Sequence, residues 1–551
     1  MNIPGTATDQ KWEAIVDRWS EAVIYGGLAI ASLFLFTVNL GDVPLRDWDE
    51  SLVAQVAKEI YQAALADNVW LHPTFHGQPY FNKPPLVHWL VAIAYAIGGV
   101  NEWTARLPGA LATACSVPLL YGLCRELFSQ QAIAIFTACT YLTLLPVVRH
   151  GRLAMLDGMV LLGFLGLLLC VVRSRRNLDW SLGAGLSISV LWLTKGVIAL
   201  PLMAIATGFI LWDIPRLLRS GRWWLGLVLG WIPTILWYAA QGFHYGMTFW
   251  DIHLLDQMLS RAVDVVEQHR GPPWYYLVEL LKYGWPWLLF LPMGVVAVWR
   301  DRSRSWAKLA IAWSGYLVLI SVMSTKLPWY IMPLYPLVAL VVGVELHRLW
   351  HTLSGASAVL TPSLAYRRIL MGWLGIMAIA GWGGSLYYAL FLADYGAGDG
   401  VLVWSLAVVG LTMMIAGMLL GRRDRQFISL LLWGFYLSLV LFVASPHWNW
   451  ELGENYPVKP VAAMIQSAQS LPENPVFYTS HPLRRPSLDF YSGYPIIPTD
   501  RDRIQRQWRR DTSAVLLVTE ADIAEMELKR VQYLGQEDGW VLIRRKPRRS
   551  Q

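Results

Sequence analysis

The feature of this sequence that most constrains its fold is a series of long apolar runs that recur up to about residue 445. Many of these runs approach the ~20 residues that an α-helix needs to cross the hydrocarbon core of a bilayer. Charged residues make up only 15% of the chain. Because a typical soluble protein carries about 25%, this chain has too little charge to cover a water-facing surface of its size. The sequence therefore predicts a polytopic α-helical membrane protein.

We predict thirteen transmembrane helices with a cytoplasmic N-terminus. The predicted spans are 21–40, 104–124, 131–147, 153–172, 178–193, 196–214, 222–241, 276–299, 307–323, 328–346, 368–392, 401–420 and 427–444. Lys and Arg are enriched in cytoplasmic loops, so their distribution tests this topology. The inner loops then hold the clusters Arg173–Arg176, Arg216–Arg222, Arg300–Lys308, Arg367–Arg368 and Arg422–Arg425, while the short outer loops hold only Arg149, Arg152, Lys195 and Lys326. The distribution of Lys and Arg therefore agrees with thirteen spans and a cytoplasmic N-terminus.

The apolar run 86–98 decides which side the later loops occupy. As a helix it reaches only ~20 Å, since the rise is about 1.5 Å per residue, and the bilayer core is about 30 Å thick. Counting it as a span would place every later arginine cluster outside. We therefore predict an interfacial or re-entrant helix. Three long segments, 41–103, 242–275 and the tail from 446, then lie on the outer side of the membrane.

The tail differs in composition from the rest of the chain. Residues 1–445 are predicted to form the transmembrane domain, and residues 446–551 a small soluble α/β domain. Short segments rich in β-forming residues lie at 475–480, 514–520 and 540–545, separated by polar helical stretches such as 521–531. The tail has no phosphate-cradling glycine motif and no obvious catalytic cluster, so a lid, substrate-positioning or stabilising role is expected.

The first outer loop opens with three carboxylates, on Asp47, Asp49 and Glu50. Carboxylates this close repel one another unless cations or a bound ligand offset their charge. A simpler interpretation is a solvated loop in which Asp49 caps a helix that runs through Ile60. The sequence around these residues leaves both interpretations open.

The same loop carries Lys83, which is followed by two prolines that fix the backbone. A lysine at headgroup level can simply extend its ammonium to the interface. A rigid lysine near an acidic cluster is also what an anionic lipid headgroup site requires, because the cation binds the phosphate and a carboxylate serves the acceptor.

Asp157 is predicted to lie about one turn inside the outer end of the fourth span. An intramembrane carboxylate is costly and indicates a functional site by default. The alternative is a structural ion pair with Arg152 or Arg149. Further outer cations are expected at Lys195, at Arg261, at His269-Arg270, and at Lys326 beside the phenol of Tyr330.

Several motifs occur in a fixed order over residues 40–340. They are Asp49-Glu50 after the first span, Phe81-Asn82-Lys83-Pro84-Pro85-Leu86, Asn101-Glu102-Trp103 with Ala105-Arg106-Leu107-Pro108, Arg152-Leu153 with Leu156-Asp157, Leu193-Thr194-Lys195-Gly196, Gln268-His269-Arg270 before Pro273-Trp274-Tyr275-Tyr276, and Lys326-Leu327-Pro328 with Tyr330 and Pro333. With these motifs the chain resembles the bacterial GT-C glycosyltransferases of the protein-mannosyltransferase superfamily, which includes the enzyme that transfers aminoarabinose to lipid A.

This resemblance implies an inverting transfer of a sugar from a polyprenyl-phosphate donor on the outer, periplasmic side of an inner (plasma) membrane. It implies that Asp49, with Glu50, acts as general base or orients the acceptor, and that Asp157 supports the site. The donor phosphate would be held by Lys83, Arg261, His269, Lys326 and Tyr330. Cations at these positions would stabilise the charge that develops on the leaving phosphate.

Two positions depart from the family pattern. Some relatives have Glu where this chain has Asn82, and His where Gln257 aligns, and a divalent metal is associated with those positions. We therefore predict no metal and no other cofactor.

Three other functions are less consistent with the sequence. The net charge of +7 does not indicate nucleic-acid binding, because the cations lie in short clusters between apolar runs. A transporter or flippase of polyprenyl-linked lipids would explain the spans, but internal repeats with broken helices are not seen. A membrane scaffold would leave the acidic and cationic first loop unexplained. The expected partners are the donor, a lipid, glycan or protein acceptor, and membrane lipid, with the chain a monomer.

Overall fold

The computed structural model describes residues 7–64, 67–253, 271–353, 364–391, 399–449, 458–468, 471–472, 475–510 and 514–546. The chain divides into two compact units. The helical unit comprises Met1–Leu40, Phe81–Val87 and Arg106–Asn449. The C-terminal unit comprises Gly41–Tyr80, His88–Ala105 and Trp450–Gln551. Most of the predicted first outer loop therefore belongs to the same unit as the predicted C-terminal domain.

The helical unit consists of helices, as expected where the backbone must satisfy its own polar groups in lipid. Its helices are α1 (Ala7–Thr37), α4 (Glu102–Leu127), α5 (Gln131–Leu142), α6 (Leu145–Gly151), α7 (Asp157–Arg173), α8 (Trp180–Lys195), α9 (Ala199–Asp213), α10 (Gly221–Tyr245), α11 (Met247–Trp250), α12 (Tyr275–Tyr283), α13 (Leu291–Arg300), α14 (Ser305–Val322), α15 (Tyr335–Leu353), α16 (Leu364–Phe391), α17 (Asp399–Gly421) and α18 (Gln426–Ala444). The first four residues of α4 lie in the C-terminal unit. Helix α8 packs between α7 and α10, and α16 packs along α17.

Eight helices in the described part of the chain are long and apolar enough to cross a membrane, or nine if the bent pair α5–α6 is one span. The three predicted spans from 153 to 214 correspond to helices of 17, 16 and 15 residues, which are shorter than the ~20 residues of a typical span. The total of thirteen therefore stays a prediction.

Two predicted spans are broken in the structure. Residues 276–299 form α12 and α13, separated by a 3₁₀ turn at Trp287–Leu289. The break follows Gly284-Trp285-Pro286, because proline removes a backbone donor and disfavours helix at the residue before it. Residues 131–147 form α5 and the start of α6, which are bent by 60°.

The first loop of the C-terminal unit is helical at its start. A looser π-helical turn, Asp47–Ser51, continues into α2 (Leu52–Gln62), and a hairpin pairs β1 (Thr74–Phe75) with β2 (Gln78–Pro79). The interpretation in which Asp49 caps the helix is wrong, because the helical turn already begins at Asp47. Residues Leu86–Gly98 form α3, a short apolar helix of 13 residues.

The C-terminal segment forms a five-stranded mixed sheet. Its strands are β3 (Val476–Thr479), β4 (Ile496–Pro498), β5 (Ala514–Thr519), β6 (Val531–Glu537) and β7 (Trp540–Arg545), in the order β4-β3-β5-β7-β6. Helices α19 (Val458–Ser467) and α20 (Pro486–Ser492) contribute to the core on one face, and α21 (Arg501–Arg510) and α22 (Glu520–Glu525) to the core on the other. The three predicted strands are confirmed. The predicted helical stretch 521–531 is too long, since α22 ends at Glu525 and β6 begins at Val531.

Candidate active site

A buried ion pair joins Asp157 to Lys195 in the helical unit. The Lys195 Nζ donates to Asp157 Oδ1 at 2.8 Å, and the two side chains are only 9% and 4% exposed. Asp157 is the first residue of α7, where the helix dipole stabilises a negative charge. Lys195 is the last residue of α8. The partner of Asp157 is thus Lys195, and not Arg152 or Arg149 as the simpler interpretation expected.

Two glycines place this pair. Gly196 has a φ of +57°, so it ends α8 directly after Lys195 in a conformation that other residues rarely adopt. A Cβ on Gly158 would lie 2.5 Å from the carbonyl oxygen of Gly109. The N-terminus of α7 can therefore approach α4 closely enough to bury Asp157.

The ammonium of Lys195 also lies near an aromatic ring. Its Nζ lies 5.6 Å from the ring centroid of Tyr330, which is within the range of a cation–π contact. Tyr330 is buried in the 3₁₀ segment Pro328–Leu334, and its carbonyl accepts a hydrogen bond of 3.0 Å from the hydroxyl of Tyr316. The predicted residues Asp157 and Tyr330 are therefore brought together through Lys195.

Lys326 has a different environment. Its ammonium donates to the carbonyls of Ile320, Ser321 and Met323 at 2.8, 2.7 and 2.5 Å. These are carbonyls at the end of α14 that have no partner within the helix. An ammonium has three donors, and these three bonds occupy them. The arrangement favours helix capping, and phosphate binding by Lys326 stays a prediction that these contacts do not support.

Arg152 also caps a helix. It donates to the carbonyls of Leu35, Val38 and Asn39 at 2.7, 2.6 and 3.2 Å, so it satisfies the end of α1. Its guanidinium lies 4.5 Å from the ring of Trp448. This engagement explains why Arg152 is not the counter-ion of Asp157.

The segment that carries Lys83 is held by a histidine that the sequence analysis missed. His253 is fully buried, and its Nδ1–H donates to the carbonyl of Phe81 at 2.6 Å. Its Nε2 accepts from the hydroxyl of Tyr238 at 3.0 Å. Burial, together with the nearby charge of Lys83, lowers the pKa of His253 to about 4. The imidazole is therefore neutral at pH 7, with its tautomer fixed by the two bonds.

An aromatic cluster supports the same segment. The ring of His253 stacks on Phe249 with centroids 4.9 Å apart and an interplanar angle of 12°. The ring of Phe81 packs against Tyr245 at 4.9 Å and Phe249 at 5.9 Å. A histidine three residues after Trp250, in an aromatic stretch that follows an apolar run, is the sequence signal that could have identified this anchor.

The acidic cluster lies in the C-terminal unit, and its members have different environments. The carboxylate of Asp47 is buried and accepts from Arg485 Nε at 2.7 Å. Glu50 is fully buried, and its carboxylate accepts the backbone N–H of Arg46 at 3.0 Å. Asp49 is half-buried. The repulsion expected within the cluster is thus relieved by an arginine and by backbone donors.

Arg261, Gln257 and His269 lie outside the described residues, so their predicted roles stay predictions. Among the residues that the structure does describe, no group of three or more His, Cys, Asp or Glu side chains is arranged to hold a metal ion.

Comparisons with known proteins match this architecture. Residues 82–238 match the family described as dolichyl-phosphate-mannose-protein mannosyltransferase. Two relatives from Pseudomonas fluorescens are named undecaprenyl phosphate-alpha-4-amino-4-deoxy-L-arabinose arabinosyl transferase 1. One is 29% identical over 60% of this chain and 60% of its own length, and the other is 31% identical over 60% and 58%. The transferase of Erwinia tasmaniensis is 28% identical over 70% of this chain and 71% of its own length. The chain therefore matches less than two thirds of the length of the two Pseudomonas relatives.

Solved structures extend the match. ArnT from Cupriavidus metallidurans bound to undecaprenyl phosphate superposes with a TM-score of 0.75 at 20% identity, covering 95% of this chain and 97% of that one. The apo state of the same protein gives a TM-score of 0.73 at 19% identity, covering 96% and 98%. The predicted resemblance to GT-C glycosyltransferases is confirmed, as is the predicted fold class. The chain is a multi-pass membrane protein with a small C-terminal α/β domain.

Proposed function

We propose that this protein is an inverting membrane glycosyltransferase that moves an aminopentose from an undecaprenyl-phosphate donor to a lipid acceptor. The observation that carries the proposal is its sequence identity to arabinosyl transferases whose names give this donor, over 70% of the chain in the case of Erwinia tasmaniensis. The fold, shared with a structure that binds undecaprenyl phosphate, supports it.

In the proposed reaction the acceptor hydroxyl attacks the anomeric carbon of the sugar. The bond from that carbon to the phosphate oxygen breaks, and the polyprenyl phosphate leaves with its electron pair. Asp49 takes the proton of the attacking hydroxyl, and Glu50 supports the turn that carries Asp49. A general base of this kind typically contributes 10²–10⁴-fold.

Cations stabilise the leaving phosphate in this proposal. Lys83, held through Phe81 by His253, supplies one ammonium. Lys195 supplies a second, oriented by Asp157 and by the ring of Tyr330. We also assign Arg261 and His269 to the donor phosphate. Preorganised cations are effective because they need no reorientation as charge develops in a low-dielectric site.

We further propose that the active site and the C-terminal domain face the periplasm and that the N-terminus is cytoplasmic. The basic loops support this orientation, since Arg175, Arg216 and Lys308 follow or precede apolar helices on the predicted inner side. Single cysteines at Lys529 and Arg302, in a background without the four native cysteines, would test it. A membrane-impermeant maleimide should label Lys529→Cys in whole cells and Arg302→Cys only after permeabilisation. The opposite pattern would reverse the orientation.

The activity test uses the purified full-length protein with undecaprenyl-phosphate aminoarabinose and lipid A. Released undecaprenyl phosphate and modified lipid A are measured by mass spectrometry. Asp49→Asn and Lys83→Ala should each lower turnover about 100-fold or more. The exposed residues Asp502 and Lys529 provide matched controls, as Asp502→Asn and Lys529→Ala.

Three outcomes would count against the proposal. Full activity in both Asp49→Asn and Lys83→Ala would remove the site assignment. Turnover of the donor with a protein or a glycan, but not with lipid A, would show that the proposed lipid acceptor is wrong. Movement of the lipid between leaflets without any sugar transfer would favour a flippase.

A further inference from the structure

We propose that Arg485 and Ser487 of the C-terminal domain are positioning residues for Asp49, which they act on through Asp47. This inference rests on the proposed function, because it takes Asp49 as the general base. It gives the C-terminal domain a specific task in the reaction beyond a general contribution to stability.

Asp47 is bound on both carboxylate oxygens by the C-terminal domain. Oδ2 accepts from Arg485 Nε at 2.7 Å, and Oδ1 accepts from the backbone N–H of Ser487 at 3.1 Å and also from its hydroxyl. The side chains of Asp47 and Arg485 are only 6% and 8% exposed. A buried, charge-assisted contact of this kind tolerates little displacement of either partner.

The contact determines the position of the turn that carries Asp49. Asp47 is the first residue of the π-helical turn Asp47–Ser51, two residues before Asp49. Within the turn, Arg46 N–H donates to Glu50 at 3.0 Å, and Ser51 N–H donates to the carbonyl of Arg46 at 2.9 Å. Asp49 therefore lies between two fixed points of the backbone. π-Helical turns are rare in proteins, and those that occur often lie at functional sites.

The same short helix, α20, contacts the first loop on both sides of this turn. On the N-terminal side, the backbone N–H of Leu45 donates to the hydroxyl of Tyr491 at 2.8 Å. On the C-terminal side, Lys58 Nζ donates to the carbonyl of Phe490 at 3.1 Å. Farther along, His76 Nε2 lies 3.0 Å from Asp489 Oδ2. Helix α20 thus holds the loop before, at and after the acidic cluster.

A structural role alone would predict a different result from a positioning role. If Arg485 only stabilises the unit, its removal lowers the amount of folded enzyme and leaves the turnover of each folded molecule unchanged. If it positions Asp49, turnover itself falls, because a displacement of about 1 Å at a reacting group can cost about 100-fold. The Michaelis constant for the donor should change little, since Asp49 serves the acceptor.

The test compares Arg485→Met and Ser487→Ala with Arg501→Met in the full-length protein. Arg501 is the control within the same domain. Its side chain is 53% exposed, it pairs with buried Asp522 at 2.8 Å, and it belongs to the helix on the other face of the sheet. We expect kcat per folded molecule to fall at least tenfold in Arg485→Met and in Ser487→Ala, with KM for the donor within about twofold. Arg501→Met should retain kcat, and Arg485→Lys should recover part of the loss.

A double-mutant cycle with Asp49 completes the test. If Arg485 acts through Asp49, Arg485→Met should cost nothing further in an Asp49→Asn background, because the group it positions is gone. An equal, additive loss in both backgrounds would overturn the inference. An unchanged kcat in Arg485→Met, with Asp49→Asn inactive, would also overturn the inference. The proposed function would not be affected by that result. An inactive wild-type protein would instead refute the proposed function.

Discussion

Replacing Lys195 with methionine should destabilise the helical unit strongly, because it removes the ammonium that balances the buried carboxylate of Asp157. The pair is 2.8 Å long and its side chains are at most 9% exposed. Removing one partner of a buried ion pair typically costs about 3–5 kcal/mol, most of which is the penalty for leaving the other charge in a low-dielectric environment. Asp157→Asn should cost less than Lys195→Met, since asparagine can still accept a hydrogen bond from the ammonium.

The double variant Asp157→Asn/Lys195→Met separates stability from catalysis. It removes both charges and keeps the approximate volumes, and such replacements are often neutral in stability. We expect it to recover most of the unfolding free energy lost in Lys195→Met. It should remain inactive in sugar transfer, because the cation proposed to stabilise the leaving phosphate is still missing.

The assay is equilibrium unfolding of purified protein in mixed detergent micelles, with transfer activity measured on the same samples. Lys282→Met is the matched control, because Lys282 forms a 3.2 Å pair with Glu279 while 54% exposed. An exposed pair is worth about 0–1 kcal/mol, so this variant should lose little. A loss below about 1 kcal/mol in Lys195→Met, or a double variant no more stable than Lys195→Met, would refute the assigned buried pair. A fully active double variant would remove both residues from the proposed mechanism.

The remaining predictions concern His253 and Lys326. His253→Phe keeps the stack on Phe249 but removes the bond to the Phe81 carbonyl, so KM for the donor should rise; an unchanged KM would show that this anchor does not position Lys83. The pKa of His253 is about 4 in the folded protein and about 6.5 in an unfolded chain. The contribution of His253 to the free energy of unfolding is therefore fully present above pH 6.5 and is lost as the pH falls towards 4. That loss amounts to roughly 3 kcal/mol. It should be absent in the His253→Phe variant, which can be checked by measuring the free energy of unfolding of both proteins between pH 7 and pH 4. Lys326→Met should lower the unfolding free energy by about 1–3 kcal/mol through uncapped carbonyls and leave KM for the donor unchanged. A large rise in that KM would instead support phosphate binding by Lys326.

The parts of the fold that are set by local chemistry could be predicted from the sequence. The strands at 475–480, 514–520 and 540–545 are runs of β-branched and aromatic residues, and each occurs as predicted. The break within 276–299 also has a local signal, because Gly284-Trp285-Pro286 interrupts the apolar run. The prediction of one continuous span used only the length of the apolar run. Hydropathy does not reflect the missing backbone N–H of proline, so it did not indicate the break.

Pairings between distant segments could not be predicted in the same way. The alternative interpretation of Asp157 named Arg152 or Arg149 as its partner because they are close in sequence, but Lys195 is the partner through the packing of α7 against α8. The contact between Asp47 and Arg485 joins positions 438 residues apart. Nothing in either local sequence indicates such a contact, because each charge is equally compatible with solvent.

Lys83 and Lys326 lie in similar sequence motifs but in different structural contexts. Both lysines precede a proline, and the sequence analysis assigned both to the donor phosphate. Lys326 comes four residues after α14 ends, within reach of carbonyls that the helix cannot satisfy, and its ammonium binds three of them. Lys83 follows the short hairpin of β1 and β2 and lies three residues before α3, whose first turn presents backbone donors. The three carbonyl contacts of Lys326 therefore favour Lys83 over Lys326 as the proposed ligand of the donor phosphate.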